Sequence, residues 1–148
     1  MPDAAGLGCA TSCLADEWSL LNNPGGLSGI KSFTIAFSEN YHPRFAPFNR
    51  SAGVIAFPVA AGSAGLSVFR FGDDLYSEQL MSAAFSNRLG IASLGLKINY
   101  IQYRAEGFGR HGVFTISFGG IAYVTKSLMI GAHITNLNQP IILPGDDP

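Results

Sequence analysis

Phe33, Ile35 and Phe37 alternate with Thr34, Ala36 and Ser38, and the same two-residue period returns along the chain. Leu94, Leu96, Ile98 and Tyr100 oppose Gly95, Lys97 and Asn99. Phe114, Ile116, Phe118 and Ala122 oppose Thr115, Ser117, Gly119 and Tyr123, and Leu128, Ile130, Ala132 and Ile134 oppose Gly131, His133 and Thr135. Successive side chains of a strand point to opposite faces, so this period predicts strands with one apolar and one small, polar face. Runs rich in Phe, Ile, Val, Tyr and Thr between turn residues place seven strands, near Ser32–Asn40, Ser51–Pro58, Ser63–Gly72, Ser77–Asn87, Ser93–Tyr103, Gly112–Val124 and Ser127–Leu137. In the second and third, apolar residues fall on both faces, and the period does not choose a core side.

A soluble β-sandwich and a membrane β-barrel both alternate in this way. The polar face consists mainly of Gly, Ser, Thr, Ala and Asn, with only Arg70 and Lys97 charged in mid-strand, whereas a water-facing sheet usually carries more charge against edge pairing. Strands of about ten residues match the tilted span of an outer-membrane strand and exceed the usual soluble length. The connections are expected to alternate, longer near Tyr41–Arg50, Gly72–Tyr76 and Arg104–His111 and tighter near Val59–Gly62, Arg88–Ala92 and Thr125–Lys126. Outer-membrane barrels place short turns on the periplasmic rim and longer loops outside. The expected class is therefore all-β, an antiparallel up-and-down transmembrane β-barrel.

Ahead of the first strand, residues 6–27 are rich in small and apolar side chains. A short helix is expected from Ser12 to Leu21, with Asn22-Asn23-Pro24-Gly25-Gly26 ending regular structure. Inside a barrel this stretch would be a plug, with Trp18, Leu20 and Leu21 against the wall and the Asn side chains bonded to its backbone. The chain then divides into a plug segment (1–31), the barrel strands (32–137) and a terminal loop (138–148).

The composition fits: 47% of the 148 residues are hydrophobic, 13% are charged and the net charge is −1, against about 25% charged in an ordinary domain. Disorder needs the opposite balance, and a nucleic-acid surface needs a basic excess that this chain lacks. A spanning helix is not expected either, because the long uncharged stretch after Ser51 is broken by Pro58 and by glycines. Met1-Pro2-Asp3-Ala4-Ala5 lacks the basic start and apolar run of a secretory signal, so either the protein stays in the cytosol or its signal precedes this sequence.

Catalytic chemistry finds no foothold. His42, His111 and His133 have no nucleophile motif or His-x-x-x-His spacing near them, and Cys9 and Cys13 lack the second pair that zinc requires. Asp73-Asp74 and Asp146-Asp147 sit where turns favour Asp, with a divalent cation at the outer rim the weaker alternative. No catalytic residue, metal or cofactor is expected, and the protein reads as non-enzymatic. Arg70, Lys97 and Asn99 are candidates for a lumen lining, since ionisable groups at membrane depth face water or protein. The two cations would attract an acyl carboxylate or, preferably, pair with Asp16 or Glu17. Tyr41, Tyr76, Tyr100, Tyr103 and Tyr123 are candidates for an interfacial girdle.

The small-residue start, Ala15-Asp16-Glu17-Trp18-Ser19 and Asn22-Asn23-Pro24-Gly25-Gly26-Leu27 together resemble the N-terminal signature of the PorV/PorQ family. The 65–72 stretch Gly-Leu-Ser-Val-Phe-Arg-Phe-Gly, Leu75-Tyr76-Ser77-Glu78-Gln79 and Gly131-Ala132-His133-Ile134-Thr135-Asn136-Leu137 are similar to its strand and loop wording. These are outer-membrane barrels related to the FadL fatty-acid transporters, in bacteria with type IX secretion. The resemblance implies a bacterial outer-membrane location and a role in protein secretion, with secretion components or cargo C-terminal domains as partners. The plug candidates are Asp16, Glu17, Trp18, Asn22, Asn23 and Pro24, and the external loops Tyr41–Arg50 and Arg104–His111, with Phe45, Phe48 and Phe108, are the expected partner contacts on their position and aromatic content. A FadL-like importer of fatty acids or other hydrophobic small molecules is the alternative, and a soluble all-β binding domain the second. The family is fourteen-stranded and its barrels close on an aromatic residue, whereas seven strands and Pro144-Gly145-Asp146-Asp147-Pro148 are seen here. The sequence is thus expected to be the N-terminal half of a barrel or, less favoured, one subunit of a two-chain barrel.

Overall fold

Alternation becomes a single antiparallel sheet in the computed structural model, which describes residues 11–41, 49–107, 109–125 and 127–140. Its strands are β1 (Thr34–Asn40), β2 (Arg50–Val59), β3 (Gly62–Gly72), β4 (Tyr76–Leu89), β5 (Ala92–Ala105), β6 (Gly109–Tyr123) and β7 (Met129–Ile134). Each pairs with the next in chain order, so β1 and β7 are the edges of an open up-and-down sheet. Pro58 is tolerated in β2 because β1 reaches only as far as the Thr34–Ala56 pair, so the absent N–H meets no partner strand there. No helix among the described residues is long and apolar enough to cross a membrane, which says nothing of strands.

The sheet buries its polar face and exposes its apolar one. Along β5, Lys97 is 4% exposed while Ile98 is 50% exposed; along β6, Thr115 is 6% and Phe114 63% exposed. The covered face, here called inner, carries Ser63, Gly65 and Ser67 of β3, Ser82, Ala84 and Ser86 of β4, and Ser93, Gly95, Lys97 and Asn99 of β5. The outer face carries Ile35, Phe37, Leu66, Val68, Met81, Phe85, Leu96 and Phe118, all exposed. Each such side chain left in water forgoes about 1.5–3 kcal/mol of burial. Small residues at Gly53 and Ala83 leave a shallow hollow of about 590 Å³ on this face, rimmed by Phe37, Leu66, Ile98 and Phe114.

The apolar band has a definite height. From Phe114 to Val124, just past β6, it runs about 33 Å along the strand. At its upper limit the register aligns Glu39, Ser51, Arg70, Gln79 and Gln102 across β1–β5 as one polar row.

Several expectations need correction. The connections do not alternate cleanly in length: those after β1, β3 and β5 span nine, three and three residues, and those after β2, β4 and β6 two, two and five. The expected Arg104–His111 loop is largely strand, because Gly107 and Gly109 at positive φ close a tight hairpin between β5 and β6. β7 stops at Ile134, after which the Asn138 side chain bonds Ile116 N–H and Phe114 C=O on the β6 edge. The expected Ser12–Leu21 helix is a short 3₁₀ turn at Glu17–Leu20, and Pro24 opens a second turn, Pro24–Gly29, instead of ending structure. Proline at a first helical position loses no bond, which is why the segment continues.

Candidate functional site

The N-terminal segment lies on the inner face, and the sequence fits it there by removing side chains from the wall. Gly95 of β5 and Gly119 of β6 are register partners, and Asn23-Pro24-Gly25 rests directly on them. A Cβ on Gly95 would fall on the Pro24 carbonyl, one on Gly119 would fall on Asn23 Oδ1, and one on Gly25 would come 2.7 Å from Gly120 Cα. Backbone thus packs on backbone, a distance only glycine permits.

Polar groups then fix the segment in place. Asn23 is fully buried; its Nδ2 donates to Ser12 O (2.6 Å) and Gly120 O (3.1 Å), and its Oδ1 accepts from Gly25 N (3.0 Å). The Ser86 and Ser93 hydroxyls both donate to the Gly25 carbonyl, Ser28 Oγ bonds Ser93 Oγ, and Ser63 Oγ donates to Ile30 O (3.1 Å). The preceding turn is held apolarly: Trp18, Leu20 and Leu27 cluster with Ala52, Val54, Ala56 and Ala84 of the wall. Ser19 closes that turn, donating to Leu14 O (3.0 Å) and accepting from Asp16 N (3.2 Å). Burial raises the Asp16 carboxyl above its ordinary value, and the neighbouring Glu17 charge adds to the rise.

Replacing Asn23 with Ala removes three hydrogen bonds and strands the buried Gly25 N–H beside two part-buried carbonyls, so a loss of about 2–4 kcal/mol is expected. Denaturant unfolding followed by Trp18 fluorescence measures it, the Trp18 signal moving before the sheet signal.

Nearer the loop end of the same face, Asn99 joins three strands. Ser82 Oγ donates to Asn99 Oδ1 (2.8 Å), and Asn99 Nδ2 donates to Thr115 Oγ1 (3.0 Å) and Ser117 Oγ (3.1 Å). Ser67 Oγ, one strand beyond Ser82, is buried without a partner. Ser67→Ala should accordingly cost nothing or raise stability by up to about 1 kcal/mol, read as an unchanged or higher thermal midpoint; Ser82→Ala should lower it.

The sequence-derived candidates separate in space. Trp18, Asn23 and Pro24 are buried on the inner face, and Asp16, Glu17 and Asn22 are half-buried beside them. Lys97 and Asn99 share that face, but Arg70 has the parity of Leu66 and Val68 and lies in the outer polar row, in a groove with Glu39 and Ser51. Among the described residues neither cation pairs with Asp16 or Glu17. Phe45, Phe48 and Phe108 lie outside the described residues. Of the tyrosines, Tyr100 has outer parity and Tyr41, just past β1, is exposed, while Tyr76, Tyr103 and Tyr123 have inner parity, Tyr123 lying under Arg88 at 4.5 Å, so these three do not join an outward girdle. Asp73 serves its turn, accepting from Leu75 N and Tyr76 N. Reading the sequence missed Gly95, Gly119, Ser86 and Ser93; a cluster of Gly and Ser at one height on neighbouring strands was the signal.

No protein-family model, curated protein or solved structure matches the chain.

Proposed function

We propose that this chain is a wall-and-plug part of a transmembrane β-barrel in a bacterial outer membrane, with no enzymatic activity. The supporting observation is the inverted sheet: large apolar side chains cover the exposed face, and small polar ones lie beneath the N-terminal segment. Water as the outer solvent would reverse that order; lipid requires it. On its resemblance to PorV/PorQ proteins, the barrel supports type IX secretion and delivery of cargo to the cell surface.

The open edges bear on how the barrel closes. β1 and β7 are both odd in an up-and-down order and run the same way, so a second copy in the same membrane orientation would meet them in parallel. Antiparallel closure takes an odd number of further strands, which favours half of a fourteen-stranded barrel over two identical chains.

The test is reconstitution of the chain, alone and extended by the strands that complete it, into phosphatidylcholine vesicles. Co-flotation is expected of both and a heat-dependent gel shift of the completed barrel, and a freely soluble monomer would overturn the membrane reading. The secretion role is tested by pull-down of cargo C-terminal domains, which should fail when the external loops are deleted. Uptake of labelled fatty acid that changes when residues 22–27 are altered would move the role to import.

A further inference from the structure

Lys97 is the one charged side chain among the buried described residues, and it makes no hydrogen bond or ion pair among them. Its inner-face neighbours are neutral: Ala84 and Ser117 beside it in register, Gly95 and Asn99 along its own strand. The nearby hydroxyls do not offer their protons elsewhere either. As the Asn99 amide is oriented, Thr115 and Ser117 both accept from its Nδ2, and neither hydroxyl donates to an acceptor among the described residues. An ammonium and two hydroxyls with protons to offer thus lie on neighbouring inner-face positions, with no carboxylate beside them. The sealed side-chain atom without a partner is Ser67 Oγ, so the Lys97 ammonium, equally without one, is not sealed off completely. A buried lone charge is costly unless something pairs with it.

We infer that Lys97, Thr115 and Ser117 form an anion site on the inner face, taking one carboxylate-sized oxyanion. The inference rests on the inner face being a lumen, where an ionisable group at membrane depth has a function by default. The anion supplies the missing acceptors: one oxygen for the ammonium and the other for the hydroxyls. Glu78, the inner-parity carboxylate of β4, is engaged by the Tyr76 hydroxyl and does not serve.

The full chain folded in detergent is treated with formaldehyde and a borohydride, and methylation of each lysine is followed by mass spectrometry while acetate replaces chloride, which has no oxygen to offer, at constant ionic strength. Acetate should slow methylation of Lys97 about tenfold and leave the exposed Lys31 unchanged. It should also raise the thermal midpoint of the wild type and of Lys97→Arg, but not of Lys97→Met, because a ligand stabilises only the state that binds it. Methylation of Lys97 at one rate in both salts, or a Lys97→Met protein as responsive as the wild type, would overturn the site. Should Lys97→Met not fold, the protection measured on the wild type decides alone. A heat-dependent gel shift of the chain extended by the strands that complete it separates the two ideas. A shift with Lys97 unprotected removes only the anion site, and protection without a shift removes only the barrel.

Discussion

Leu96→Arg should nearly abolish recovery of folded protein in lipid vesicles. Leu96 is 48% exposed at mid-height of the outer band, with Phe85 and Phe118 as its register partners. A charge at that depth on a lipid-facing strand costs about 2–4 kcal/mol, a factor of about 30 or more in the ratio of folded to unfolded protein. If this face met water, the same substitution would be close to neutral, within about 0.5 kcal/mol, as surface changes usually are. Gln102→Arg is the matched control, on the same strand and face but in the polar row above the band, and it should insert like the wild type. The yield of heat-modifiable protein after flotation measures both variants.

Gly95→Val should release the N-terminal segment. The new Cβ would occupy the place of the Pro24 carbonyl, and the paired Gly119 offers no room for the segment to shift sideways without meeting Asn23. Overpacking costs about 1–3 kcal/mol where flexible side chains can yield, and here the obstacle is backbone, so about 3 kcal/mol or more is expected. Limited proteolysis should then cut within residues 12–30, and Trp18 emission should shift to the red as it leaves its pocket of Ala52, Val54 and Ala56. Gly53→Ala is the control: a Cβ there meets only Val68 Cγ1, at 3.6 Å, and neither readout should move.

These two predictions draw on parts of the molecule that differ in how far the sequence reveals them. The seven strands and the faces of β1, β5, β6 and β7 follow from alternation, because one face is large and apolar and the other small. In β2 the period is silent for a physical reason: its inner residues Ala52, Val54 and Ala56 are apolar because Trp18 and Leu20 pack on them, so both faces are greasy. That silence extends to β3, where Arg70 reads as a lumen residue although its parity sends it outward beside Val68. The N-terminal stretch is legible as a segment that needs a place to pack, and Trp18 and Asn23 are buried on the inner face. Where it packs is not legible. The fit of Pro24 to Gly95 and of Asn23 to Gly119 and Gly120 joins positions about seventy or more residues apart, and a strand glycine announces only that something comes close.

The most direct measurement of which solvent this sheet was built for is a nitroxide scan along β5 of the reconstituted protein, at Leu94, Leu96, Ile98, Lys97 and Asn99, comparing collision with oxygen and with a water-soluble nickel complex. Labels at 94, 96 and 98 should meet oxygen freely and the nickel complex hardly at all, while those at 97 and 99 should be shielded from oxygen. Nickel collisions at 94, 96 and 98 as frequent as at the exposed Arg104 would mean that the apolar face of the sheet meets water, and the lipid-facing wall would have to be abandoned.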